Sequence, residues 1–297
     1  MMPASGNVIS NKPKRTVDIL GLPVAPLTME ELLLQADRCI ASRGQLLLGV
    51  VNAAKVVNAR RNPYLRQSLE RADIIVADGA PIVWLSRLMG TSLPEKVAGI
   101  DIMYRLLERS CQKNYSVYFL GAEPAVVKKV VELVRSNFHG LRIAGFRDGY
   151  FDISEEKQIA EEIRNSGADI LFVAISSPRK ETFLARWHHF MLVPVCHGVG
   201  GSFDVVAGVT KRAPLWMQRC GLEWLYRVIQ EPRRLWKRYL VTNIIFIKIS
   251  LEAIVRARCG RLFRRFAPAC DVQKSQQKGT HHFESQKCLN PAQAEKI

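Results

Sequence analysis

A chain of 297 residues, 48% hydrophobic and 24% charged, is long enough to bury a substantial core, which excludes a disordered or fibrous protein over most of its length. Seven cysteines without a C-x-x-C pair argue against a zinc site and against a disulfide framework, leaving buried or idle thiols. The net charge of +16 is uneven: residues 211–268 hold fourteen Lys or Arg against three Glu, a net of +11. Such a block wants an anionic partner, and nucleic acid, an acidic membrane surface or a diphosphate-bearing ligand all qualify.

Residues 1–15 are polar and basic and lack the apolar core of a signal peptide, so a disordered N-terminus and a cytoplasmic protein are expected. From 16 to 210 short β-branched runs alternate with helical patterns, which predicts a Rossmann-like layered α/β domain with a largely parallel sheet. Strands are expected at 45–51, 74–77, 117–120, 142–144, 170–174 and 193–196, each short and apolar as strands covered on both faces should be. Thr28 with Glu31 makes a capping box for a helix running to about 42. Pro124 opens a helix that ends near 138 before Gly140, and a third covers 154–165, closed by Gly167.

Beyond Gly208 the composition turns rich in Trp and Arg. A helical segment over 214–230 and a second helix from Pro232 to about 258 make residues 211–268 a basic helical appendage that associates with a membrane. The stretch 239–255 is strongly apolar but contains Lys248 and Glu252, so it is expected to lie on a membrane or on the core rather than to cross. Residues 269–297 read as a disordered tail.

Ligands of an open parallel sheet collect beyond the carboxyl ends of the strands, so the turns there are the candidates. They carry Asn52, Asp78-Gly79, Gly121 within 120–124, Lys180-Glu181 within 176–181, and Gly200, Gly201 and Asp204 within 198–204. Asp78 suits a general base, or equally the N-cap of a helix beginning near Pro81. The glycine turns would let backbone N–H groups approach a phosphate, but Phe203 stands where a G-x-G-x-x-G would end, which disfavours a nicotinamide dehydrogenase. There is no D-x-D to hold a divalent cation, so a departing diphosphate would fall to cationic side chains. Arg227, Arg234, Lys237 and Arg238 are the candidates. On a helix the last three share one face, opposite Trp236, Leu240 and Ile244, and an ordinary solvated basic face is the plain alternative.

The string Val199-Gly200-Gly201-Ser202-Phe203-Asp204, then Lys211-Arg212-Ala213-Pro214, 221–227 and Glu231-Pro232-Arg233-Arg234, resembles the WecG/TagA/CpsF glycosyltransferases. Upstream the resemblance extends through Asp78-Gly79, 93–96, 99–101 and Gly149-Tyr150-Phe151. It implies an inverting enzyme without metal or other cofactor, moving N-acetylmannosamine, its uronic acid or another hexose from UDP to an undecaprenyl-diphosphate-linked saccharide in cell-surface polymer synthesis. By the same resemblance Asp78 is the base, Asn52 lies near donor and acceptor, and Arg227 and Arg234 belong to an appendage that closes the site on the cytoplasmic membrane face. Three departures touch the donor: Val50 stands for a usual threonine, Lys96 for an arginine, and Lys180 for a glutamine ahead of the retained Glu181. Lys180 is left to meet a diphosphate, a uronate carboxylate, Glu181 or solvent. A non-catalytic basic module for anionic lipid or nucleic acid is the rival reading, although no nucleic-acid motif supports the latter. Oligomerisation is left open.

Overall fold

The computed structural model describes residue 13 and residues 15–266, with side chains through residue 259. The tail expected over 269–297, the end of the appendage at 267–268, most of the segment 1–15, Cys270 and Cys288 lie outside the described residues. Described residues up to Arg258 belong to one compact unit, and those from Cys259 onward to a second.

Strands β1 (Val17–Ile19) and β2 (Leu22–Val24) form an antiparallel hairpin. The main sheet holds β3 (Leu46–Val51), β4 (Ile74–Ala77), β5 (Ser116–Gly121), β6 (Arg142–Arg147), β7 (Ile170–Ala174) and β8 (Val195–Gly198). All six run parallel in the order β4-β3-β8-β7-β5-β6. The connecting helices are α1 (Met29–Ala41), α2 (Ala53–Arg61), α3 (Pro63–Glu70), α4 (Ala80–Leu88), α5 (Gly99–Lys113), α6 (Pro124–Asn137), α7 (Glu156–Asn165), α8 (Arg179–Met191) and α9 (Ser202–Val206). Three more, α10 (Leu215–Arg219), α11 (Glu223–Gln230) and α12 (Pro232–Phe266), make the C-terminal helical segment of this Rossmann-like layered fold.

Parallel strands need crossovers, and helices supplied on both sides bury both faces of the sheet. Successive side chains therefore enter opposite cores. Leu47, Val51, Ile75, Leu171 and Val173 point into one, under α2, α3, α7 and α8, where Phe246 and Ile249 of α12 also pack. Leu48, Val50, Val76, Phe119 and Phe172 point into the other, under α1, α5 and α6. The Thr28 capping box forms, with the Glu31 N–H donating to Thr28 Oγ1 at 3.3 Å and the Thr28 N–H to Glu31 Oε2 at 2.8 Å. Such a cap is worth about 1 kcal/mol to the helix it starts.

The six strands stand where the sequence predicts them, with instructive shifts. The last begins at Val195 instead of 193 because Pro194 has no N–H for the ladder, though its carbonyl accepts from Leu46 N at 2.8 Å. β6 runs to Arg147, past the expected 144, around a register shift opposite Val117 and Tyr118. Only a glycine fits at 145, where a Cβ would come within 2.6 Å of the Tyr118 ring. The segment expected as one helix over 214–230 is two, broken at Gly221, whose φ of +69° and close approach to Trp84 both disfavour a side chain. The second appendage helix continues to Phe266 rather than ending near 258. The hairpin was not foreseen; it covers the β4 edge, with Ala25 N donating to Ile75 O at 2.7 Å.

Candidate active site

The strand ends open into a cleft of about 1320 Å³ that reaches from Asn52 past Gly200 and Gly201 to Tyr150, with Arg227, Arg234 and Arg238 along its appendage side. Asp204 and Lys180 also line it, whereas Asp78, Lys96, Gly121, Glu181 and Lys237 are not among its lining residues.

Asn52 and Asp78 end neighbouring strands in register, Val51 pairing with Ala77 and Asp78 N donating to Val51 O at 2.8 Å. Their roles at the two helices are the reverse of one expectation. Asn52 is the N-cap of α2, its Oδ1 accepting from Lys55 N at 3.0 Å, which leaves its amide nitrogen and one lone pair of Oδ1 for a ligand. Asp78 caps nothing: the N-cap of α4 is Gly79, whose φ of +131° turns the chain into the helix without any side-chain hydrogen bond. The helix-cap reading of Asp78 is thereby corrected, and its carboxylate is left for another purpose. Burial and the nearby Glu223 raise its pKa against the opposing pull of Lys55, Arg227 and Lys96. A carboxylate held more basic than usual among cations is suited to accept a proton.

Beneath Asn52 lies an ion-pair group that the sequence reading only half anticipated. Lys55 pairs with Glu181 at 3.0 Å and donates to Val50 O at 2.7 Å. Lys180 pairs with the same Glu181 at 3.6 Å, and both Lys180 and Glu181 are buried. Lys180 is therefore no surface lysine. Its stem passes Gly198, where a Cβ would meet it at 2.8 Å, and its Nζ lies under Gly200, where a Cβ would stand 3.3 Å away. The glycine turn is bare because an ammonium lies beneath it. Burial, reinforced by Lys55, depresses Lys180 to about 8 despite Glu181. Burial also works against the Glu181 carboxylate, yet Lys55 and Lys180 hold it at about 2. Glu181 is the shared counter-ion of two lysines more than a group presented to a ligand.

Lys55 was missed, and a signal for it exists. Lys55 and Lys180 each occupy the first turn of a helix, where the backbone dipole disfavours a positive charge. Two such violations facing one cleft mark a place where cations are wanted more than helix stability.

At the far end, β5, β6 and β7 converge on bare backbone. A Cβ at Gly121 would lie 2.6 Å from the Ala174 backbone, and one at Gly149 would lie 3.0 Å from Gly121 Cα. Tyr150 follows, 69% exposed, its hydroxyl 3.3 Å from Glu123 Oε1. Asp204 stands nearby, its pKa raised by burial and by Glu123, with Arg234 opposing. Arg234 in turn holds Glu231 at 2.5 Å.

Lys96 lies at the Asp78 side of the site, paired with Glu223 of α11 at 3.2 Å. On α12, Trp236, Leu240, Ile244, Ile247, Leu251 and Val255 recur at helical spacing and are all more than half exposed. No described helix is long and apolar enough to cross a membrane. Among the described residues no three His, Cys, Asp or Glu gather as a metal site, and no disulfide forms; Cys39 and Cys196 are buried.

Comparison with known proteins bears directly on this cleft. Residues 17–260 match the model of the glycosyl transferase WecG/TagA/CpsF family. The N-acetylglucosaminyldiphosphoundecaprenol N-acetyl-beta-D-mannosaminyltransferase of Bacillus spizizenii is 39% identical over 182 residues, 61% of this chain and 70% of that protein. The protein of the same description from Bacillus subtilis is 38% identical over 172 residues, 58% of this chain and 66% of its own length.

Proposed function

Since the chain belongs to the WecG/TagA/CpsF family and is a glycosyltransferase, we propose that it moves N-acetylmannosamine, its uronic acid or another hexose from UDP to a saccharide carried on polyprenyl diphosphate. The observation that carries the reading is Asp78: a carboxylate freed from capping, raised in pKa, and ringed by Lys55, Lys96 and Arg227. In a single displacement Asp78 takes the proton of an acceptor hydroxyl. The oxygen attacks the anomeric carbon as the bond to UDP breaks, inverting that centre, and the charge arriving on the diphosphate is met by Arg227, Arg234 and Arg238. With cations in that role no metal is required. The uridine lies toward Tyr150, an exposed ring on which a base can stack, with Glu123 and Asp204 as acceptors for an N–H of uracil.

The exposed apolar stripe on α12 and the basic side chains around it support a peripheral position on an anionic membrane, at its cytoplasmic face, where a lipid-linked acceptor is presented. The deciding experiment incubates the protein with a panel of UDP-sugars and a synthetic polyprenyl-diphosphate-linked sugar, with and without EDTA. Release of UDP from one donor, with a new disaccharide product and no loss in EDTA, is the expected result. Activity abolished by EDTA and restored by a divalent cation would refute the metal-free mechanism, and no turnover of any donor would refute the transfer reaction.

A further inference from the structure

Three contacts fasten the appendage beside Asp78. Arg212 pairs with Asp101 of α5 at 2.7 Å, Gly221 sets its bare Cα against Trp84 and Ala80 of α4, and Glu223 in the first turn of α11 pairs with Lys96 at 3.2 Å. None of these residues lines the cleft itself, but Glu223 stands one helical turn before Arg227, which does. The third contact is made with a candidate donor-binding cation, and its carboxylate is close enough to repel the charge on Asp78. Neither member is buried, with 22% of the Lys96 and 30% of the Glu223 side chain exposed, so an incoming ligand can reach the pair.

A carboxylate resting on an ammonium does there what a phosphate would do, accepting charge-assisted hydrogen bonds, and a diphosphate brings more charge to the same place. We propose that Glu223 is a positioning residue that occupies Lys96 in the donor-free protein and is displaced from it by the donor's diphosphate, an inference that rests on the UDP-donor reading above. Holding Lys96 this way keeps a lone ammonium from pairing with the base itself. The charged groups facing Asp78 are Glu223 and Arg227 of α11, Lys55 of α2, Lys180 of α8 and Lys96 of the loop ahead of α5. Among them only Glu223 adds negative charge, so its removal leaves the base surrounded by cations alone. Asp78 then loses its proton at lower pH and is a weaker acceptor.

The test is calorimetric titration of UDP into the full chain and its Glu223→Gln variant, joined to their pH–rate profiles. UDP binds Glu223→Gln about threefold tighter, the few-fold effect expected when a partly exposed ion pair no longer competes. The acid limb of kcat/KM moves to lower pH, whereas Glu223→Asp, which keeps the charge, retains the limb of the parent. In a Lys96→Gln background the same Glu223→Gln change leaves UDP affinity untouched, because no ammonium remains to be freed. Unchanged or weaker UDP binding by Glu223→Gln, at an unchanged melting temperature, would overturn this inference alone. Absence of UDP binding to the parent protein would overturn the donor reading and this inference with it.

Discussion

Around the β4 and β3 ends, charges of both signs gather: Glu181 pairs with Lys55 and Lys180, Glu223 pairs with Lys96, and Asp78 feels the field of Lys55, Lys96 and Glu223. Across the β5 and β6 ends the floor is Gly121 and Gly149, and the conspicuous side chain is the ring of Tyr150. The first half can answer a change of charge during a reaction, because its lysines are already held in place by Glu181 and Glu223 and need little reorganisation. The second half can hold a flat, neutral group by close backbone approach and stacking, with the carboxylates of Glu123 and Asp204 beside the ring. Division of labour along one row of strand ends is thus written in the kinds of side chain each end bears.

Three substitutions sharpen that contrast. Asp78→Asn, in the charged half, is expected to lower kcat by about 10²- to 10⁴-fold, the usual contribution of a general base, with UDP affinity and melting temperature nearly unchanged. A steady-state assay with a paired calorimetric titration measures both. Tyr150→Ala, in the backbone half, should do the opposite: KM for the UDP-sugar rises about tenfold, as loss of one stacking platform predicts, while kcat holds. A fall in kcat with KM intact would erase the distinction between the halves. The smallest effect is on stability. Lys180 titrates near 8 in the folded protein against 10.5 when exposed, so between those values the unfolded chain binds more protons and the parent gains stability as pH rises. Lys180→Gln removes that gain, and urea midpoints at pH 7.5 and 10 should diverge in the parent by more than in the variant.

The same two halves differ in how readily the sequence betrays them. Strands such as 170–174 and 74–77 are unbroken apolar runs closed by polar turns, so their positions and their carboxyl-end residues were legible. Their order was not, since the neighbours of a parallel strand are set by how crossover helices pack and leave no local mark. The hairpin escaped because its turn places Leu20 at a φ of +55°, a conformation that a leucine does not advertise. Asp78 was visible as a candidate, but its competing role as a cap could be discarded only once Gly79 was seen to begin α4. Lys55 carries no motif of its own, and Glu223, though inside the 221–227 string, bears no mark there of a role beside Asp78. They become members of the site through partners 126 and 127 positions away, Glu181 and Lys96, and such distances are decided by the fold.

The last helix has a consequence of a mechanical kind. Arg234 and Arg238, which line the cleft, and the exposed apolar residues as far as Val255 belong to one uninterrupted helix, and residues 234–255 span roughly 30 Å of it. An unbroken helix of that length works as a gauge. Whatever surface its apolar stripe rests on, the arginines at its near end stand at a set height and tilt above that surface. For the proposed reaction, the reach of an acceptor toward Asp78 would then be limited by the dimensions of α12.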